Sequence, residues 1–133
     1  SNYSFLIICG DDAYKKRLEL IKKEKKITNL IIFSRTKNFL EHLSESKVSI
    51  TSGGLTLFES IRLKNKCLAI PQYKHQSYNI EKLTKLGLTK KINLMSNIND
   101  ILEETLNKNF KSSLIDSNGM QRVIKLFKNR NLL

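Results

Sequence analysis

Ser52, Gly53 and Gly54 follow a β-branched run, Val48, Ser49, Ile50 and Thr51, and stand directly before an amphipathic segment that carries Glu59. Glycines where a strand hands over to a helix permit positive φ and let a ligand approach the backbone. The first-turn amides of that helix, from about Gly54 to Leu57, have no intrahelical partner and face outward at the positive end of the dipole. Such an end cradles a phosphate or diphosphate without a metal ion. The same triplet also suits a tight turn that needs glycine for steric reasons alone. Glu59 lies about 7.5 Å further along the axis, roughly one ribose away from a phosphate at the helix end. There a carboxylate can accept hydrogen bonds from two vicinal hydroxyls; placed early in a helix it is also simply favoured by the dipole.

A second apolar run, residues 67–70, is closed by Pro71, and a polar loop follows with Gln72, Tyr73, Lys74, His75 and Gln76. Asn79 opens the next helix beside it. Amides and hydroxyls of this kind suit the hydroxyls of a sugar, although an exposed loop without a ligand has the same composition. His75 has acid–base capacity, but the sequence places no carboxylate to orient it. His42, among polar neighbours on a helix, reads as a surface residue.

These residues need a scaffold, and the hydrophobic pattern supplies one. Residues 5–9 and 29–33 are continuous apolar runs of the kind buried on both faces in parallel sheets. Residues 48–51, 67–70 and a short stretch at 90–94 complete five strands. Helices are expected at 13–26 with Asp12 as N-cap and Tyr14, Leu18 and Ile21 inward, and at 37–45 with Thr36 as N-cap and Phe39, Leu40 and Leu43 inward. Further helices are expected at 55–63, at 77–86 stopped by Gly87, and at about 98–106 capped by Ser96 or Asn97. A last helix follows Gly119, with Met120, Val123, Ile124 and Phe127 inward. The alternation defines an α/β fold, a Rossmann-like parallel sheet of about five strands with helices on both faces. Ligands bind such sheets at the carboxyl ends of the strands. That edge holds residues 10–12, 34–36, 52–54 and 71–77.

At 133 residues the chain is expected to form a single domain. Cys9 and Cys67 both lie in apolar runs and read as small buried hydrophobes. With no Cys-x-x-Cys spacing they suggest neither a disulfide scaffold nor a zinc site, and a reducing cytoplasm is the default location. The formal net charge is +12. The lysines are spread over almost every helix, no RNA-module aromatic motif accompanies them, and nucleic acid is accordingly the weaker choice of partner. An anionic small ligand or a negatively charged membrane surface fits equally well. Two other classes match part of the pattern: a basic nucleic-acid-binding α/β domain, and a receiver-like signalling domain suggested by Asp11 and Asp12 after the first strand. A receiver needs an aspartate at the end of its third strand, where this chain has Thr51, Ser52 and Gly53.

The run from Ser52 to Glu59, then Ala69, Ile70 and Pro71, then Gln76 and Asn79, resembles the C-terminal, donor-binding half of GT-B nucleotide-sugar enzymes. It is similar to the glycosyltransferase family 28 C-terminal domain, as in the murein-precursor N-acetylglucosaminyltransferase, and to the UDP-sugar hydrolase of the pseudaminic acid pathway. Asp116 to Arg122 resembles the Asp-Gly-x-Gly-x-x-Arg ending of the hydrolase and its relatives. The resemblance implies that Ser52, Gly53, Gly54, Leu55 and Thr56 hold the diphosphate and Glu59 the ribose. It implies that His75, Gln76 and Asn79 meet the donor sugar, and that Phe33, Ser34 and Arg35 meet the base. The ligand would be UDP or a UDP-sugar, with no cofactor and no metal. The parent would be a hexosyltransferase or a UDP-sugar hydrolase of surface-glycan biosynthesis, cytoplasmic or peripheral at the inner face of the membrane. The resemblance further implies a separate N-terminal acceptor domain or partner chain, so that this chain alone binds without turnover. The family domain has six strands and opens with a glycine-rich loop. Five strands are legible here, and Gly10, Asp11 and Asp12 stand where that loop would be.

Overall fold

The computed structural model describes residues 3–111 and 115–129, apart from the side chain of Phe127. The chain divides into two units, Ser1–Glu41 and His42–Leu133.

In the first unit, strand β1 (Phe5–Cys9) pairs in parallel with β2 (Leu30–Ser34), with Phe5 opposite Leu30 and Cys9 opposite Ser34. Helix α1 (Asp12–Glu24) is the crossover a parallel pair requires. Its N-cap is Asp11 rather than Asp12: the Asp11 carboxylate accepts from the Tyr14 amide at 3.0 Å. Asp12, released from capping, accepts a hydrogen bond from the Ser34 hydroxyl at the end of β2. That bond, aided by Arg35 and by Lys15 and Lys16, holds the Asp12 carboxyl below its ordinary range. Leu18 and Ile21 are half-buried as the periodicity predicts, whereas Tyr14 is exposed.

Helix α2 (Phe39–Glu45) begins two residues later than the pattern suggests. Thr36 accepts from the Asn38 amide at 3.1 Å, forming a side-chain turn ahead of the helix. Leu43 is buried, Leu40 is exposed, and His42 is half-buried rather than on the open surface.

In the second unit, β3 (Val48–Thr51), β4 (Lys66–Ala69) and β5 (Lys90–Lys91) form a parallel sheet in that order. Helices α3 (Leu55–Arg62) and α4 (Lys74–Lys85) are its crossovers. Right-handed connections put both on one face. Accordingly Leu57 and Ile61 of α3, Cys67 and Ala69 of β4, Ile80 and Leu83 of α4, and Leu88 form one buried cluster. Leu68, whose side chain points to the other face by strand alternation, is also fully buried, so β4 is covered on both sides. Helix α5 (Ile98–Asn107), capped by Asn97, lies against β3 and buries Leu102 and Thr105.

Polar groups inside this unit are largely paired. Asn65 donates to the carbonyls of Leu43 at 2.6 Å and Ser46 at 2.7 Å, tying the turn after α3 to the end of α2. Ser49, Ser60 and Cys67 bond one another beneath α3, with the thiol 3.0 Å from the Ser60 hydroxyl. Gly87 closes α4 at φ 74, its amide on the Thr84 carbonyl, the left-handed C′ position that glycine fills without strain.

The α/β class with parallel strands therefore holds, but the five strands pair as two sheets, β1-β2 and β3-β4-β5. Other expectations change as well. The strand expected at 90–94 is two residues long, because its partner β4 ends at Ala69. The last helix, α6 (Gly119–Asn129), does not turn its apolar residues inward: Met120, Val123 and Ile124 are all exposed. The Phe127 side chain, assigned inward with them from the sequence, lies outside the described residues.

Gly53 is buried, and a Cβ on it would meet Gln76 Cβ at 2.8 Å and two atoms of Ile80 at 3.0 and 3.1 Å. Gly53→Ala is therefore expected to lower stability by about 1–3 kcal/mol, the usual cost of overpacking. Urea denaturation of the two proteins measures it; an unchanged midpoint would refute the close approach.

Candidate functional site

The residues of the second unit assigned to ligand binding from the sequence, Ser52 to Thr56, Glu59, His75, Gln76 and Asn79, lie at the carboxyl edge of β3 or on the helices α3 and α4. β3 ends at Thr51, Ser52 to Gly54 form the turn, and α3 starts at Leu55. Gly54 is the N-cap, with φ −91 and ψ −161, and no side chain caps the helix. The Leu57 amide bonds to the Gly54 carbonyl at 3.2 Å, so the open donors of the first turn are those of Leu55 and Thr56. No acidic residue occupies that turn to compete for its positive end. Nearby, the buried hydroxyl of Thr51 has no hydrogen-bond partner among the described residues.

Neither glycine of the turn uses positive φ; Gly87 is the glycine that does. Gly53 is needed because α4 presses against it. Gly54 is different: a Cβ there would meet only Ser52 Oγ, at 3.8 Å, and its surroundings are otherwise open. The backbone at 54 thus leaves room for a side chain that glycine does not use.

Glu59 is exposed on α3, and its carboxylate has no side-chain partner among the described residues. It faces solvent next to Phe58, while Leu57, Ser60 and Ile61 take the buried side of the helix. Solvation on its own accounts for such a glutamate, and the placement leaves both oxygens able to accept.

The polar loop after Pro71 is shorter than its composition suggests. Lys74 to Ser77 belong to the first turn of α4, and only Gln72 and Tyr73 precede it, with Tyr73 as N-cap. Lysine and glutamine are good helix formers, and nothing from 74 to 77 breaks a helix. The Gln76 side chain folds back so that its Oε1 accepts from the Gln72 amide at 2.9 Å, in the manner of the reciprocal half of a capping box. Gln76 is consequently buried, with its remaining polar atom, Nε2, as the group able to donate elsewhere. His75 is exposed and stacks on Tyr73, ring centroids 5.8 Å apart and planes within 4°. Asn79 lies one turn into α4 rather than at its start, and is exposed.

The second unit thus brings together the Ser52–Gly54 turn and the first turn of α4, joined by the Gly53–Gln76 contact. Phe33, Ser34 and Arg35 lie in the first unit at the end of β2, where Arg35 adopts φ 48 and its amide reaches the Cys9 carbonyl at 3.4 Å. The arrangement in the second unit can receive an anion at α3 and hydroxyl groups beside Gln76. Among the described residues there is no cluster of three or more His, Cys, Asp or Glu residues that could hold a metal, and no helix is long and apolar enough to cross a membrane.

The C-terminal motif is structural in character. Asp116 accepts the Asn118 amide at 2.7 Å and pairs with both oxygens to Arg122 Nη1, at 3.0 and 2.9 Å. Sequence reasoning assigned no role to this pair, although an aspartate six residues before an arginine at a helix start is a legible signal.

An α/β unit with a parallel sheet and an open, glycine-capped helix N-terminus at its carboxyl edge is of a kind that can receive an anion. The glycosyltransferase family 28 C-terminal domain matches residues 1–130, nearly the full chain, and the chain belongs to that family. No curated protein matches it.

The Arg122 pair and the Asn118 amide hold the Asp116 carboxyl below its ordinary value of 3.8. A depressed carboxylate stabilises the folded state above its unfolded value, and the effect is lost as pH falls through the folded one. Acid titration followed by circular dichroism should therefore show helix lost in this range, and Asp116→Asn should remove part of the pH dependence. An unchanged titration curve would refute the pairing.

Proposed function

We propose that this domain binds the donor of a glycosyltransferase as UDP or a UDP-sugar, with the diphosphate on the N-terminus of α3 and without a metal ion. The open amides of Leu55 and Thr56 behind a glycine cap carry the reading. Ser52, Gly53 and Gly54 shape the turn, and Thr56 adds a hydroxyl. Glu59, exposed and unpaired, accepts from the ribose diol. Gln76 donates to the sugar through Nε2, because its oxygen is engaged by Gln72; His75 and Asn79 stand on the same helix. Contacts of Phe33, Ser34 and Arg35 with the uracil rest on the family resemblance.

The chemistry supplied here is electrostatic. Fixed amide dipoles stabilise the diphosphate as it takes up charge on leaving the sugar. An acceptor domain or partner chain would bring the acceptor and the base, for transfer or hydrolysis in glycan biosynthesis at the cytoplasmic face of the membrane.

Isothermal titration with UDP tests the reading. Loss of two charge-assisted hydrogen bonds in Glu59→Ala should weaken UDP by roughly ten- to a hundredfold. The wild type should prefer UDP to 2′-deoxy-UDP, the variant should not, and a chelator should leave both unchanged. Equal affinities of the two proteins would overturn the ribose assignment, and absence of UDP binding by the wild type would overturn the function.

A further inference from the structure

The first turn of α4 is a second place where donors and positive charge gather, one strand away from the start of α3. Tyr73 caps α4 without a side-chain hydrogen bond, and the turn that follows holds no acidic residue. The Gln76 amide bonds to the Tyr73 carbonyl at 3.0 Å, which leaves the amides of Lys74 and His75 as the open donors. Lys74 is exposed and forms no ion pair among the described residues. A lysine at this end of a helix stands against the dipole, and an anion beside it relieves the conflict.

Gln76 adds a fixed donor to this helix end. It is only 8 % exposed, and the Gln72 amide engages its Oε1, so that Nε2 is left without a hydrogen-bond partner among the described residues. A carboxamide nitrogen in that position is costly until a ligand completes it. Gln72 stands two residues before Lys74, so the carboxamide lies over the start of α4. The contact of Gly53 with Gln76 Cβ sets it beside the turn that leads into α3. A sugar carried on a diphosphate at α3 therefore has its substituents next to the first turn of α4. A neutral hexose would engage Nε2 and leave the two amides and Lys74 unanswered. A carboxylate on the same sugar accepts from all of them, with charge-assisted bonds.

We propose that the first turn of α4 is a carboxylate subsite made by the amides of Lys74 and His75, Gln76 Nε2 and the Lys74 ammonium. The donor is then a nucleotide-linked hexuronic acid and not a neutral hexose, an assignment that rests on the nucleotide-sugar reading above.

Isothermal titration of the 133-residue chain with UDP, UDP-glucose and UDP-glucuronate tests this. The wild type should bind UDP-glucuronate about tenfold more tightly than UDP-glucose. Lys74→Ala should narrow that preference and Lys74→Glu should abolish it. Residue 74 is exposed, so both variants should keep the wild-type circular dichroism spectrum. UDP alone should bind the wild type and Lys74→Ala alike. Equal affinity of the wild type for the two sugar nucleotides, with UDP still bound, would overturn the carboxylate subsite and leave the nucleotide reading standing. Failure of the wild type to bind UDP would remove both. A preference that survives in Lys74→Glu would overturn the role of α4. So would inorganic phosphate that binds the UDP complex of the wild type but not that of Lys74→Glu, without any preference for the uronate, since it would assign the turn to an anion separate from the donor.

Discussion

The contact between the backbone at Gly53 and the side chains of Gln76 and Ile80 is the constraint on which the candidate site depends. It brings the turn before α3 against the first turns of α4, and it does so only because residue 53 has no side chain. Two further facts follow from the same approach. Gln76 is pressed into the interior, where its oxygen takes the Gln72 amide, and Ile80 becomes part of the buried cluster with Leu57 and Ile61. The core and the site are therefore not separate regions of this unit; the site is the rim of the core where α3 and α4 start.

The strand pairing has an equally simple reading. All pairs are parallel, β1 with β2 in the first unit and β3-β4-β5 in the second, and β1 and β3 each have an edge that forms no ladder among the described residues. The crossovers between these parallel strands run through α1, α3 and α4.

Strands and crossovers were legible because their signals are redundant. Residues 5–9 read as a strand by continuous hydrophobicity, and β1 has those bounds; Val48 to Thr51 likewise became β3. What could not be read depended on tertiary detail. Polar residues 74–77 look like a loop because their helical role is set by Gln76 folding back to Gln72. Asp11 and Asp12 are equivalent as caps in sequence, and the Ser34 hydroxyl, twenty-two residues away, distinguishes them. Glycine at 53 suggested positive φ, whereas packing is the reason for it. The stripe of Met120, Val123 and Ile124 was correctly periodic, but periodicity reports that a face is apolar and not what covers it.

The two cysteines give the molecule a property unrelated to ligand binding. Cys9 is buried in the first unit and Cys67 in the second, where desolvation pushes its thiol up from the usual range despite the hydrogen bond it accepts from Ser49 and the one it donates to Ser60. An enclosed thiol reacts with alkylating reagents only when its surroundings open. Each unit thus contains a chemical clock of its own, and the two labelling rates report separately how often each half of the fold comes apart.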